Sequence, residues 1–241
     1  MDQARAEFET SNILLRSMPQ ALFRRLRPHL EPVALERGAL IYRADGPVEH
    51  LYFVDRGLVS LVMTMQDGRT VEIGVVGIEG VTGVGVLFGV DTAVLETVVQ
   101  IPGAAYRIGR AVAREAIAGS EALRELLQRY AHFVIGQLAQ TAACNRLHSL
   151  EERCCRWLLI AHDSARSDDF LLTHEFLAMM LGAQRPGVSL AASILQRAGL
   201  IRYTRGHVTI TDRPGLEAAA CECYGAMRAQ LRHFVGEPTS R

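Results

Sequence analysis

Residues 172–210 read LTHEFLAMMLGAQRPGVSLAASILQRAGLIRYTRGHVTI, and within them two helical periods give way to a strand period. Thr173 is placed to cap a short helix running to Met180, and Gly182 supplies a turn. Pro186 suits the first turn of a second helix that continues to about Ala198. This is helix-turn-helix spacing. Phe176, Leu177, Met180, Leu181, Val188, Ala191 and Leu195 fall on inward positions. Arg185, Ser189 and Ser193, spaced by four, share an outward face suited to a DNA major groove. From Leu200 to Ile210 the chain alternates around a glycine turn, two strands that read as the wing of a winged helix and carry Arg205. Between Leu172 and Arg213 five arginines stand against Glu175 and Asp212, a modest positive excess in the right place.

Upstream of this segment the period is helical. A stripe of Leu123, Leu127, Tyr130, Val134, Leu138 and Thr141, at steps of three and four, predicts one long helix from Ser120 to about Leu147. At about 1.5 Å per residue it would be roughly 40 Å long, more than one small β domain covers, so the stripe invites a second copy of the chain. Ser149-Leu150-Glu151-Glu152 is a capping box that starts a new helix after a break near His148. That helix passes through Trp157 to His162, and Ser164 to Asp169 reads as a linker.

Between Ala39 and about Ile108 the chain is built of short β-rich runs: Leu40 to Tyr42, Leu51 to Val54, Leu58 to Met65, Thr70 to Val76 and Val94 to Ile101. Asp45-Gly46-Pro47, Asp67-Gly68 and Pro102-Gly103 read as the turns between and after them. Two short helices, interrupted by Pro19, precede this block. The expected fold class is α+β: an amino-terminal antiparallel, jelly-roll-like β-roll with flanking helices, a long dimerisation helix and a carboxy-terminal winged helix-turn-helix. The expected domains are residues 1–119, 120–148 and 149–241.

Composition narrows the function. In 241 residues, 49% hydrophobic and 22% charged side chains exclude a disordered or collagen-like chain. Twenty-six basic residues, all arginine, balance twenty-six acidic ones, so any claim for nucleic acid rests on local pattern. The uncharged stretch from Gly80 to Val90 is far too short to cross a bilayer, and Met1 to Glu7 lacks the features of a secretion signal. No membrane partner and a cytoplasmic location are expected. Five cysteines, an odd number and all at or beyond Cys144, argue against a disulfide framework and read as reduced, packed thiols. Cys154-Cys155 and Cys221-Glu222-Cys223 lack the second pair of a zinc signature, so no metal site is expected. Only His50 lies between Ile41 and Ile108, too few imidazoles for a metal oxygenase, and no catalytic residue or enzyme activity is expected.

The order of β block, long helix, helix-turn-helix and wing resembles the Crp/Fnr family of bacterial transcription regulators. The likeness is sharpest in Leu172-Thr173-His174-Glu175, in Gly182-Ala183-Gln184-Arg185 through Leu195, and in Gly199-Leu200-Ile201. It implies a sequence-specific, homodimeric DNA-binding regulator with double-stranded DNA and RNA polymerase as partners. The second helix, about residues 186–198, would lie in the major groove. Arg185 falls where the family places its main base-reading arginine, and Thr173, His174 and Gln184 fall on positions that touch the DNA backbone. Pro186 and Leu190 replace a frequent glutamate and a second arginine, so the operator does not transfer. Pro186 also disfavours helical backbone at Arg185, which makes Arg185 a candidate N-cap.

Cyclic-nucleotide-binding members hold the cyclic phosphate with a Gly-Glu pair followed by an arginine. The corresponding stretch, Gly77-Ile78-Glu79-Gly80 to Val98, has no arginine, so a cyclic nucleotide is not expected and the effector is unassigned. Glu79 and Arg69 are the candidates should an anionic effector bind. The iron-sulfur cluster of oxygen-sensing members is not expected, because no cysteine precedes Cys144. A sensor or scaffold that does not bind DNA is the alternative reading, and the complete wing argues against it.

Overall fold

The computed structural model describes residues 10–235. The amino-terminal segment Met1 to Glu7 read above lies outside them. Two short helices lead, α1 (Ile13–Arg16) and α2 (Gln20–Leu26), as the apolar spacing around Pro19 requires. Five strands follow: β1 (Glu31–Leu35), β2 (Leu40–Tyr42), β3 (His50–Thr64), β4 (Thr70–Val76) and β5 (Glu96–Gly109). They pair antiparallel in the order β1-β5-β3-β4, with β2 also on β5.

Two long strands replace several expected short ones. The runs Leu51 to Val54 and Leu58 to Met65 are one strand, β3, and β5 passes straight through Pro102-Gly103, which was expected to be a turn. The register of β3 on β5 shifts around Arg56 to Leu58. At that bulge Gly57 has φ +96°, and a Cβ on Gly103 would stand 1.9 Å from the Arg56 carbonyl oxygen. The glycines are there to let two bent strands cross closely, which lengthens the sheet instead of ending it. β1 was not expected at all. Its Pro32 is tolerated because β1 is at the edge of the order, paired only with β5.

Helix α3 (Arg110–Ala118) leads into α4 (Glu121–Leu147), capped by Ser120, whose side chain accepts from the Leu123 amide. His148 closes α4 in extended backbone, and the Ser149–Glu152 capping box starts α5 (Leu150–Ala165). The stripe on α4 is not left open. Leu123, Leu127, Tyr130 and Thr141 are buried within the chain, the first three in one core with Leu14, Phe23, Phe53 and Ile108. The last helix, α9 (Cys223–Val235), also lies along α4, stacking Phe234 on Phe133 with ring centres 5.7 Å apart. The large apolar side chains that α4 does leave exposed, Ile135 and Leu147, lie on a different face.

The expected linker is shorter than its composition suggested. Arg166 ends α5 in left-handed backbone, and β6 (Asp169–Leu171) then joins a second sheet. That sheet has the order β6-β8-β7, formed with β7 (Ile201–Thr204) and β8 (His207–Ile210). Helices α6 (His174–Met180), α7 (Arg185–Arg197) and α8 (Arg213–Ala219) complete this half. A single apolar cluster spans both halves, joining Leu58, Val62, Val75 and Ile101 of the roll to Trp157, Leu158, Leu177 and Val188. No helix among the described residues is long and apolar enough to cross a membrane.

Candidate nucleic-acid interface

Thr173, in extended backbone, caps α6 by accepting a 3.2 Å hydrogen bond from the Phe176 amide. Leu177, Ala178 and Met180 turn inward, and Gly182, at φ +57°, reverses the chain. A Cβ at Gly182 would come within 2.9 Å of Val71 on β4, so the turn also needs glycine for its approach to the roll.

Gln184 is the N-cap of α7, with extended backbone at φ −79° and ψ 142°, and Arg185 is the first helical residue. The expectation that Arg185 caps the helix is corrected by one position. Pro186 sits in the first helical turn, where its missing amide has no helical acceptor to lose. Val188, Ala191, Ala192 and Leu195 are buried against the preceding helices. Gln184, Arg185, Leu190, Ser193 and Arg197 are exposed on the other side. The start of α7 thus combines the positive end of a helix with an exposed guanidinium, a suitable combination for phosphate and guanine.

Ser189 and His174 behave differently from expectation. The Ser189 hydroxyl lies 3.0 Å from His174 Nδ1, so it faces α6 and is only half exposed. The His174 ring packs on Tyr203 at 4.3 Å between centres, and its Nε2 is buried without a hydrogen-bond partner among the described residues. Burial, and then the nearby Arg185 charge, hold this imidazole below its ordinary pKa. Both ring nitrogens are therefore withdrawn from the surface. His174 pins α6, α7 and the wing together in this conformation, where a DNA-backbone contact had been expected. Tyr203 completes the pin by donating its hydroxyl hydrogen to the Leu172 carbonyl.

The wing is a tight hairpin. Thr204 pairs with His207, and the two intervening residues, Arg205 and Gly206, both have positive φ, at 49° and 81°. Arg205 is exposed at the tip, and Arg202, which sequence reading passed over, is exposed on the same ribbon. Its signal was the alternation with buried Ile201. Asp169 of β6 braces the ribbon, 3.0 Å from His207 Nδ1 and accepting at 2.9 Å from the Thr209 hydroxyl. These hydrogen bonds, first His207 and then Thr209, hold its carboxyl below the usual range.

The structure does not bring the two effector candidates together. Glu79 lines a cavity of about 240 Å³ between the roll and the helices, with Leu58, Phe133, Asp163 and Arg228 among its walls. Its carboxylate accepts from the Gly77 amide at 2.7 Å, and burial raises its pKa. Arg69 is 85% exposed and paired with Asp67 on the β3–β4 hairpin, beside the separate cleft that faces α6. Arg107 is paired with Glu31 on the outside of the sheet.

An antiparallel roll, a long helix and a winged helix-turn-helix with an arginine at the exposed start of its second helix define a DNA-binding transcription regulator. Residues 152–219 match the Crp-like helix-turn-helix domain, and residues 32–120 match the cyclic nucleotide-binding domain. The chain belongs to the Crp/Fnr family of transcription regulators. Its fold is similar to that of a Crp/Fnr-family regulator from Eubacterium rectale, with TM-score 0.66, 17% identity, and coverage of 86% of this chain and 96% of that one. FixK2 from Bradyrhizobium japonicum gives TM-score 0.65 at 17% identity, covering 80% of this chain and 98% of its own. A CRP-family regulator from Thermus thermophilus gives 0.63 at 23% identity, covering 78% and 96%. A search of curated protein sequences finds no match.

Proposed function

We propose that the protein acts in the cytoplasm as a homodimeric, sequence-specific regulator that places α7 in the DNA major groove and the Arg205 wing tip against the adjacent backbone. The observation that carries this reading is the exposed Arg185 guanidinium at the first turn of α7, with the basic wing beside it. A two-fold dimer sets two recognition helices about one DNA turn apart, roughly 34–36 Å. The dimer seam is the exposed ridge of α4, where Ile135, Ala139, Ala143 and Leu147 repeat every fourth residue. Ile135 is 61% and Leu147 76% exposed, unusual for large apolar side chains. RNA polymerase is the protein partner that the family suggests.

We infer that the roll acts through a ligand other than a cyclic nucleotide, or through none. Glu79 and Asp163 both line the cavity, and its arginine, Arg228, lies over the Tyr224 ring and 3.9 Å from Glu217, while neither Arg69 nor Arg107 reaches it; two carboxylates against one already engaged guanidinium disfavour a cyclic phosphate there.

Arg185→Ala is expected to reduce discrimination between a selected site and random DNA by about 1–3 kcal/mol, as for loss of a bidentate guanine contact. Arg205→Ala should instead weaken both DNAs alike and make the salt dependence shallower by roughly one counterion. Titrations of both variants at several salt concentrations measure this. Equal losses on both DNAs for Arg185→Ala would assign it to phosphate and remove the base-reading role.

A further inference from the structure

Three of the five cysteines form a cluster of their own, separate from the apolar cores, while Cys154 and Cys155 belong to the main core. Cys144 lies in the last turn of α4, and His148 follows at its C-cap. Cys221 lies just before α9 and Cys223 at its start. The ligand atoms of these four residues all lie within 4.8 Å of one another. Cys144 Sγ is 3.5 Å from Cys221 Sγ, and Cys223 Sγ is 3.5 Å from His148 Nδ1.

The two 3.5 Å spacings match edges of a metal tetrahedron, and the remaining ligand atoms, within 4.8 Å, are close enough to be drawn in by an ion. With zinc–sulfur bonds of about 2.3 Å and zinc–nitrogen bonds of about 2.0–2.1 Å, neighbouring ligand atoms stand about 3.5–3.8 Å apart. A disulfide needs about 2.05 Å between sulfurs, and it would leave Cys223 and His148 without a role. The surrounding groups also fit a metal. His148 turns Nδ1 toward the thiols and holds Nε2 3.0 Å from a Glu222 carboxylate oxygen, the arrangement that fixes the tautomer of a metal-bound imidazole. Gln140 donates from Nε2 to Cys223 Sγ at 2.9 Å, a contact that favours thiolate. Three thiolates, a neutral imidazole and a divalent ion carry one net negative charge. Arg156, buried and with no carboxylate ion pair among the described residues, supplies a positive charge near Cys144. Thiols that merely packed as small apolar groups would need neither the imidazole nor its carboxylate.

We propose that Cys144, His148, Cys221 and Cys223 bind a zinc ion in a closed, tetrahedral Cys3His site. The ion ties the start of α9 to the end of α4, at the break where the long helix meets the DNA-binding half. The site was hidden in the sequence because its halves, Cys144 with His148 and Cys221 with Cys223, are 77 residues apart.

The test uses the full-length protein, purified under reducing conditions without added metal. Elemental analysis should find about one zinc per chain. After chelator treatment, Co²⁺ should restore the sulfur-to-cobalt charge-transfer and strong visible bands of tetrahedral thiolate coordination, and Zn²⁺ should displace it stoichiometrically. Cys223→Ser should lose these bands and Cys154→Ala should keep them. Glu222→Gln, which alters no ligand, should weaken zinc binding by about 10–100-fold. Wild-type protein that binds neither Zn²⁺ nor Co²⁺ at micromolar concentration overturns the proposal whatever the variants do. So does a Cys144–Cys221 disulfide in the reduced preparation, or cobalt bands that survive Cys223→Ser.

Discussion

Trp157→Ala is expected to destabilise the protein by about 3–5 kcal/mol, the cost of removing the largest kind of core side chain. Trp157 is 2% exposed and lies in the apolar cluster that joins the roll to the winged helix. Its indole Nε1 donates to Glu72 Oε1 at 3.0 Å, so truncation both opens a cavity and takes a donor from a buried carboxyl group. Urea denaturation should show a lower midpoint with an unchanged slope and one transition, because a shared core makes the two halves unfold together. A loss below about 1 kcal/mol would mean that the interface collapses onto the space without penalty, and two separate transitions in the wild type would contradict a shared core.

Glu72 carries the second large effect. It is buried between β4 and α5, accepting from the Ser60 hydroxyl at 2.5 Å and from Trp157. Burial raises its pKa from 4.5 to about 7, against the opposing pull of those hydrogen bonds and of Arg156. The folded state therefore holds this proton more tightly than the unfolded chain does. The stabilisation is fully present below about pH 4.5 and is lost as pH rises through about 7. A shift of this size corresponds to about 3 kcal/mol between those limits. Glu72→Gln keeps an acceptor for Trp157 and adds an amide donor for Ser60. It should change stability little at pH 5 and raise it by about 2–3 kcal/mol at pH 8. Denaturation midpoints at the two pH values measure the difference. A variant that is no more stable than wild type at pH 8 would show that Glu72 ionises in place at no cost.

What the sequence revealed, and what it hid, divides along the range of the interactions. Thr173, Gly182, Pro186 and Gly206 act on their own backbone or their near neighbours, so the helix-turn-helix and wing were legible to within a residue or two. The break at His148 was legible for the same reason, since Ser149 and Glu152 cap each other. Gly103 was misread because a glycine for close strand crossing looks locally like a glycine for a turn, and the break expected between Val54 and Leu58 is a bulge at Gly57. The stripe from Leu123 to Thr141 was read correctly as apolar, but its partners, the roll and α9, lie elsewhere in the chain. Glu72 in a strand of alternating residues looks solvent-facing until α5 is seen to cover that face. Arg185 was placed on the surface by periodicity alone, whereas Ser189 has the same period and is turned aside by His174, a contact across the helix pair.

The most direct measurement of the central claim is selection of DNA sites from a random duplex library by the full-length protein, followed by binding to the selected sequence and to random DNA. The account predicts a two-fold symmetric site with half-sites about one helical turn apart, bound at least about a thousandfold more tightly than random sequence at physiological salt. Enrichment of no sequence, or of a single half-site with no symmetric partner, would contradict it.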